Sequence, residues 1–242
     1  MNLAGKSAVV TGGSRGLGRD VAQLIHEAGS DVTVCAKSSQ MVGGAESTER
    51  WYSRWSAFDL AVPSELNAFA DTLVESEKPI DILVNNAGYG GGLATLAETS
   101  EEELAALVAL NFVSPFLLTR KLLPKLLSAQ HGWIVNIASQ AGKRGVPGLA
   151  AYSATKFAVV GMGQALAKEL QDTNITCVTI CPGGMDTEMR ESLFGDAGKQ
   201  QTTMSVALLI RDIITEAIPL ANGAEVLIKD GRIQRIELSP NY

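Results

Sequence analysis

Thr11-Gly12-Gly13-Ser14-Arg15-Gly16-Leu17-Gly18 follows an apolar run over 7–11 and opens an amphipathic stretch. A strand, a glycine-rich turn and a helix start in this order bring free backbone N–H groups and the positive end of a helix dipole to one point. Glycines there let the backbone approach a ligand closely. Gly12, Gly16 and Gly18 are spaced Gly, three residues, Gly, one residue, Gly, which departs from the Gly-x-Gly-x-x-Gly dinucleotide fingerprint. The turn by itself therefore predicts a phosphate cradle on the first strand-to-helix connection.

Outward from this turn, short β-branched runs alternate with longer amphipathic ones. Strands are expected at 7–11, 31–36, 52–58, 80–85, 133–138, 176–181 and 224–229. Five of these are continuous apolar runs, as strands buried on both faces should be. Helices are expected at 16–28, 63–76, 100–127, 150–171 and 205–217, with a loop or one short helix over the Gly-, Ser- and Glu-rich segment 38–50. The alternation predicts an α/β fold, a doubly wound seven-stranded parallel sheet of the Rossmann type. No internal repeat or linker divides the chain, so 1–242 reads as a single domain.

Composition narrows the function classes. The chain of 242 residues is 46% hydrophobic and carries a net charge of −6, which gives no footprint for a nucleic-acid backbone or an anionic membrane. No apolar run approaches the roughly 20 residues of a membrane span, and Met1-Asn2-Leu3-Ala4-Gly5-Lys6 leads into a strand instead of a signal-peptide core. A soluble, cytoplasmic protein is expected. Cys35, Cys177 and Cys181 each sit in a strand-like apolar run and read as small buried hydrophobes. Two histidines without clustered cysteines give no metal-site spacing.

Three later segments bear on chemistry. Asn85-Asn86-Ala87-Gly88 ends the fourth strand, Ser139 follows the fifth, and Tyr152-Ser153-Ala154-Thr155-Lys156 lies 13 residues beyond Ser139 on a helix. Strand carboxyl ends are where an open parallel sheet places its ligand. Tyr and Lys four apart share a helix face, so a phenol and an ammonium converge on one site. With Asp59-Leu60, Asn111 and Pro182-Gly183-Gly184-Met185-Asp186-Thr187, these ordered motifs resemble the short-chain dehydrogenase/reductase family in its compact single-domain branch. The resemblance runs motif by motif from Lys6 to about Thr187 and more loosely to Lys229. The segment 38–50 and a C-terminal region without a strongly glycine-rich ending depart from it.

The resemblance implies hydride transfer between a nicotinamide cofactor and a carbonyl or alcohol. Tyr152 is then the general acid/base, and Lys156 the cation that lowers its pKa and holds the cofactor ribose. Ser139 hydrogen-bonds the substrate oxygen, and Asn111 holds a water linking Lys156 to solvent. Gly12, Ser14, Arg15, Gly16, Leu17 and Gly18 would cradle the cofactor phosphates. Asp59 and Leu60 would border adenine, and Asn86, Ala87 and Gly88 the ribose and nicotinamide side. Pro182 and Gly183 would also contact the cofactor, and Thr187 its carboxamide.

Charge argues the cofactor form. NAD sites usually offer an acidic residue to the 2′-hydroxyl after the second strand, whereas a 2′-phosphate calls for cations. Here Ala36 stands where NAD-dependent relatives have Asp, followed by Lys37, Ser38 and Ser39. Arg15 approaches from the glycine turn, so two cations and no carboxylate point to NADP(H). Tyr89, Gly90 to Gly92, Gln140, Val146, Leu149, Met189, Leu193 and Phe194 are the candidate substrate contacts, mostly small or apolar, which favours a neutral carbonyl compound. The stretch 190–203 reads as a mobile lid.

A non-catalytic NADP(H)-binding sensor is the alternative from another class, but a sensor has no need of the Asn111, Ser139, Tyr152 and Lys156 set. Epimerases and dehydratases with transient hydride transfer resemble a longer chain with a separate substrate domain. The helices at 100–127 and 150–171 stay apolar over more than one face, which predicts a homodimer or homotetramer. The tail 225–242 offers a second contact.

Overall fold

The computed structural model describes residues 1–37, 51–195 and 201–238. The expected loop or helix at 38–50, with Ser38 and Ser39, lies outside them. The strands are β1 (Ser7–Thr11), β2 (Asp31–Ala36), β3 (Arg54–Ala57), β4 (Ile82–Asn85), β5 (Gly132–Ile137), β6 (Ile175–Pro182), β7 (Ala224–Lys229) and β8 (Arg232–Leu238). They form one sheet in the order β3-β2-β1-β4-β5-β6-β7-β8. The helices are α1 (Gly16–Glu27), α2 (Pro63–Val74), α3 (Glu101–Val108), α4 (Ser114–Leu127), α5 (Ala150–Glu169), α6 (Glu188–Phe194) and α7 (Thr203–Ile214).

Burial on both faces explains the continuous apolar strands. Ala8 and Val10 of β1 join the core cluster that contains Leu17, Val21 and Ile25 of α1 and Ile210 and Ile213 of α7. Val9, pointing the other way, joins the cluster of Leu66 and Phe69 from α2 and Leu118, Leu122 and Leu126 from α4. The order reverses between β1 and β4, and their carboxyl ends open the crevice where such sheets take ligands.

Four sequence expectations change. The sheet has seven parallel strands and an eighth, β8, antiparallel to β7. Asp230 and Gly231, with φ of 53° and 69°, form the two-residue turn between them; both central residues need positive φ in such a hairpin, which Asp-Gly tolerates. The single helix expected at 100–127 is α3, a π-helical turn Ala109–Val113 and α4. Pro115 has no N–H for the carbonyl four residues back, so the regular ladder cannot run through this point. A short helix, α6, occupies the front of the expected lid, started by Thr187, whose Oγ1 accepts the Arg190 N–H at 3.2 Å. Finally, the helical stretch Glu101–Leu127 is long and apolar enough to cross a membrane, although no such run was expected. Here Leu107, Leu118, Leu122 and Leu126 are buried in the protein core.

Candidate active site

The glycine turn and the turn after β4 are stitched together by Thr11. Its Oγ1 accepts the N–H groups of Asn86 and Ala87, each at 3.0 Å. Asn86 Nδ2 donates in return to the carbonyls of Thr11 and Gly12 at 2.9 and 3.1 Å. Gly12 has φ +66°, and a Cβ there would lie 2.8 Å from Ala87 Cα, so the two turns touch backbone to backbone. Arg15, extended at the N-cap of α1, makes no side-chain cap bond, and the first turn of α1 holds no acidic residue. Its N-terminal donors face a cavity of about 530 Å³.

Most of the expected cofactor residues line that cavity. Gly12, Ser14, Arg15, Gly16 and Leu17 form its floor at one end, beside Lys37, Asp59 and Leu60. Asn86, Ala87 and Gly88 line it too, as do Tyr152 and Lys156, while Thr187, whose Cγ2 would lie 3.7 Å from a Cβ at Gly16, stands beside the glycine turn. Three expected residues do not line it. Gly18 is packed under the turn, where a Cβ would lie 2.3 Å from Asn86 Nδ2. Pro182 is registered with Ile228 inside the sheet, and Gly183 donates its N–H to the Ile228 carbonyl at 2.7 Å. These contacts join the end of β6 to β7. Ser38 falls outside the described residues.

The donor set meets the uncapped helix end and a cradle with no room for a Cβ, which fits a dinucleotide. Its charge pattern differs from the expected one. Lys37 Nζ lies 2.8 Å from Asp59 Oδ2, and Arg15 pairs with Glu188 at the start of α6. The two cations are therefore accompanied by carboxylates, contrary to expectation: Ala36 carries none, but Asp59 and Glu188 reach in from other connections. Lys37 holds the Asp59 carboxyl below its ordinary range.

The reacting end is built on α5, which places Tyr152 and Lys156 one turn apart. Tyr152 hydrogen-bonds Ser139. Lys156 Nζ donates to the Ile137 carbonyl at the end of β5, at 3.0 Å, and lies 5.8 Å from the Tyr152 ring centre. Burial pushes the Tyr152 phenol up, against the lowering effect of the Ser139 hydrogen bond. Burial also pulls the Lys156 ammonium down to about 8. The expected lowering of the Tyr152 pKa by Lys156 does not appear in this geometry: desolvation is the largest cause for both groups, and Ser139, not Lys156, supplies the lowering contribution at Tyr152.

Asn111 sits in the π-helical turn, fully buried. Its Nδ2 donates to the Tyr89 carbonyl at 2.9 Å and to Thr155 Oγ1 at 3.1 Å, while its Oδ1 accepts the Tyr89 N–H at 2.7 Å. It thus ties the turn after β4 to α5. A Cβ at Gly88 would sit 3.3 Å from Asn111 Oδ1 and 3.6 Å from Lys156 Nζ, so the glycine keeps the space between those two polar groups open. Neither Asn111 nor Ser139 lines the cavity itself; Ser139 meets it through its hydrogen bond to Tyr152.

Among the substrate candidates, Tyr89 and Met189 line the cavity. Gly90 lies under α6, where a Cβ would meet Met189 Cγ at 2.8 Å and Leu193 Cδ1 at 3.1 Å. Gln140 is turned away, with its Nε2 donating to the Ile228 carbonyl at 3.1 Å. The reading of the sequence missed Met185, Asp186, Glu188 and Thr203 on the wall; the acidic residue directly after Thr187 was the available signal. The stretch 190–203 holds most of α6, residues 196–200 outside the described structure, and the start of α7 at Thr203.

Residues 6–198 match the family model described as short chain dehydrogenase. The chain is 34% identical over 224 residues to a ketoacyl reductase of the granaticin polyketide synthase from Streptomyces violaceoruber, covering 90% of this chain and 81% of the relative. It is similar to a short chain dehydrogenase from Shigella flexneri 2a solved in complex with NADP, with TM-score 0.84 and 28% identity over 93% of this chain and 98% of that one. A 3-ketoacyl-(acyl-carrier-protein) reductase from Brucella melitensis, complexed with NADH, gives TM-score 0.83 at 25% identity, covering 93% and 97% of the two chains.

Proposed function

This chain belongs to the short-chain dehydrogenase/reductase family, and from that premise we propose that it reduces a ketone or aldehyde to the alcohol, or oxidises the alcohol, with NADP(H). The observation that carries this reading is the convergence of Tyr152, bonded to Ser139, and Lys156 at one end of a cavity whose other end is the uncapped start of α1. The bound cofactor supplies the hydride. Tyr152, whose phenol burial keeps protonated at neutral pH, donates the proton as negative charge grows on the substrate oxygen. Ser139 orients that hydroxyl and shares the oxygen. Lys156, anchored on Ile137, presents its ammonium to the ribose and to the phenol. Asn111 holds the turn after β4 at the correct distance from α5.

Support for NADP(H) comes from Ala36, which leaves the end of β2 without a carboxylate, and from Lys37 and Arg15 beside it. A 2′-phosphate would compete with Asp59 and Glu188 for these cations. The ketoacyl reductases among the relatives favour a neutral carbonyl, a 3-ketoacyl thioester included. The test is a panel of ketones, aldehydes and 3-ketoacyl thioesters followed by loss of NADPH absorbance, with NADH in parallel. Tight NADPH binding with no turnover across the panel would leave the sensor reading in place.

We also read the chain, 1–242, as one soluble cofactor-binding unit that self-associates. Leu107 and Val159 are spent on its own core, but Leu104 and Phe116 remain exposed, and Phe157 joins them.

A further inference from the structure

Ser139 leaves β5 in extended conformation and caps the short 3-10 turn Gln140–Gly142, its Oγ accepting the Ala141 N–H at 3.1 Å. This turn is held from two sides. Against α5, a Cβ at Gly142 would lie 2.6 Å from the Lys156 carbonyl oxygen, so the two backbones are in contact. Against the sheet, Gln140 Nε2 donates to the Ile228 carbonyl of β7 at 3.1 Å. Lys143, the residue that ends the turn, donates to Glu225 of β7 and lies 2.7 Å from Glu237 of β8.

Glu225 is 2% exposed, and its second oxygen accepts Gln164 Nε2 at 2.6 Å. A buried carboxylate is costly unless paired, and breaking such a pair leaves an uncompensated charge. Burial alone would draw the Lys143 ammonium down, but Glu225 and Glu237 more than offset it and hold it above its ordinary value. Hydride transfer itself uses none of these groups.

We propose that the β7–β8 hairpin positions the Ser139 hydroxyl: the Lys143, Glu225 and Glu237 cluster, with the Gln140 bond to Ile228, fixes the turn on which Ser139 meets Tyr152. Lys143, Glu225 and Glu237 are positioning residues acting through Ser139. The inference rests on the proposed role of Ser139 in carbonyl reduction.

The test combines Lys143→Met, the milder Glu237→Gln, which leaves Lys143 paired with Glu225, and Ser139→Ala, in the full chain with NADPH and ethyl acetoacetate as ketone probe. Lys143→Met should lower kcat about tenfold and Glu237→Gln about threefold, with the KM for NADPH within about twofold of the parent. In the Ser139→Ala background, Lys143→Met should change kcat less than about twofold, because the two residues act as one unit. A purely structural role would cost the same factor in both backgrounds, and that additivity would overturn the proposal. Hydrogen exchange reads the turn without turnover: Lys143→Met should speed exchange of the Ala141 amide and leave β1 and α1 protected. Unchanged protection of Ala141 would also overturn it. Full activity of Ser139→Ala is a separate result, one that refutes the site reading beneath the proposal.

Discussion

Lys156 reaches from α5 to the Ile137 carbonyl at 3.0 Å, and this single bond holds the ammonium between the end of β5 and the Tyr152 ring. It also keeps a charge buried, with Lys156 only 4% exposed. Function at this position is thus set against stability.

The folded Lys156 titrates near 8, below its ordinary value of 10.5. Between those pH values the unfolded chain binds more protons, so stability rises with pH; below about 8 both states are charged and the folded state carries the full penalty. Lys156→Met should therefore melt above the parent at pH 6, with the gain shrinking as pH climbs through the folded value. Calorimetry of the cofactor-free protein at pH 6 and pH 10 measures it. A gain that grows with pH would contradict the assignment.

Tyr152→Phe keeps the ring and removes only the hydroxyl proposed to donate the proton. Turnover should fall about 10²-fold or more, while NADPH affinity, read by fluorescence titration, stays within a few-fold. Turnover within threefold of the parent would rule out Tyr152 as the acid.

Cofactor preference should be modest and salt-dependent. The Lys37 side chain is 83% exposed and already paired with Asp59, and an exposed ion pair yields little after solvent screening. Lys37→Ala should weaken NADPH binding roughly twofold to fivefold and leave NADH unchanged, the difference vanishing in high salt. Asp59→Asn frees Lys37 and should tighten NADPH binding. If Lys37→Ala weakens both cofactors equally, the 2′-phosphate assignment fails.

Gly12→Ala tests the cradle. The new methyl would need φ +66° and a position 2.8 Å from Ala87 Cα. A loss of about 1–3 kcal/mol in urea unfolding is expected from strain and overpacking, along with weaker binding of both NADPH and NADH. Equal loss for both forms separates this substitution from those at Lys37.

Self-association is read by light scattering. At micromolar concentration the mass should be a multiple of 25.5 kDa, and Phe116→Glu should reduce it by placing a charge on an apolar contact. A parent mass near one chain would refute the dimer and tetramer readings alike.

Local signals determined much of this protein. The glycine turn, the apolar strands and the four-residue spacing of Tyr152 and Lys156 each depend on residues close in sequence, so their elements could be read directly. The eighth strand is equally local: Asp230-Gly231 between apolar-containing runs is a strong hairpin signal, although the exposed, charge-rich run 232–238 lacks the continuous apolar pattern of the buried strands. Tertiary structure alone decided the charges. Arg15 meets Glu188 across 173 residues, and Lys143 meets Glu225 across 82; no pattern in the chain announces such partners, because the sheet order brings them together. The same holds for pKa values, which follow burial: the spacing of Tyr152 and Lys156 predicts that they meet, but only the packed interior determines that desolvation shifts the phenol up and the ammonium down.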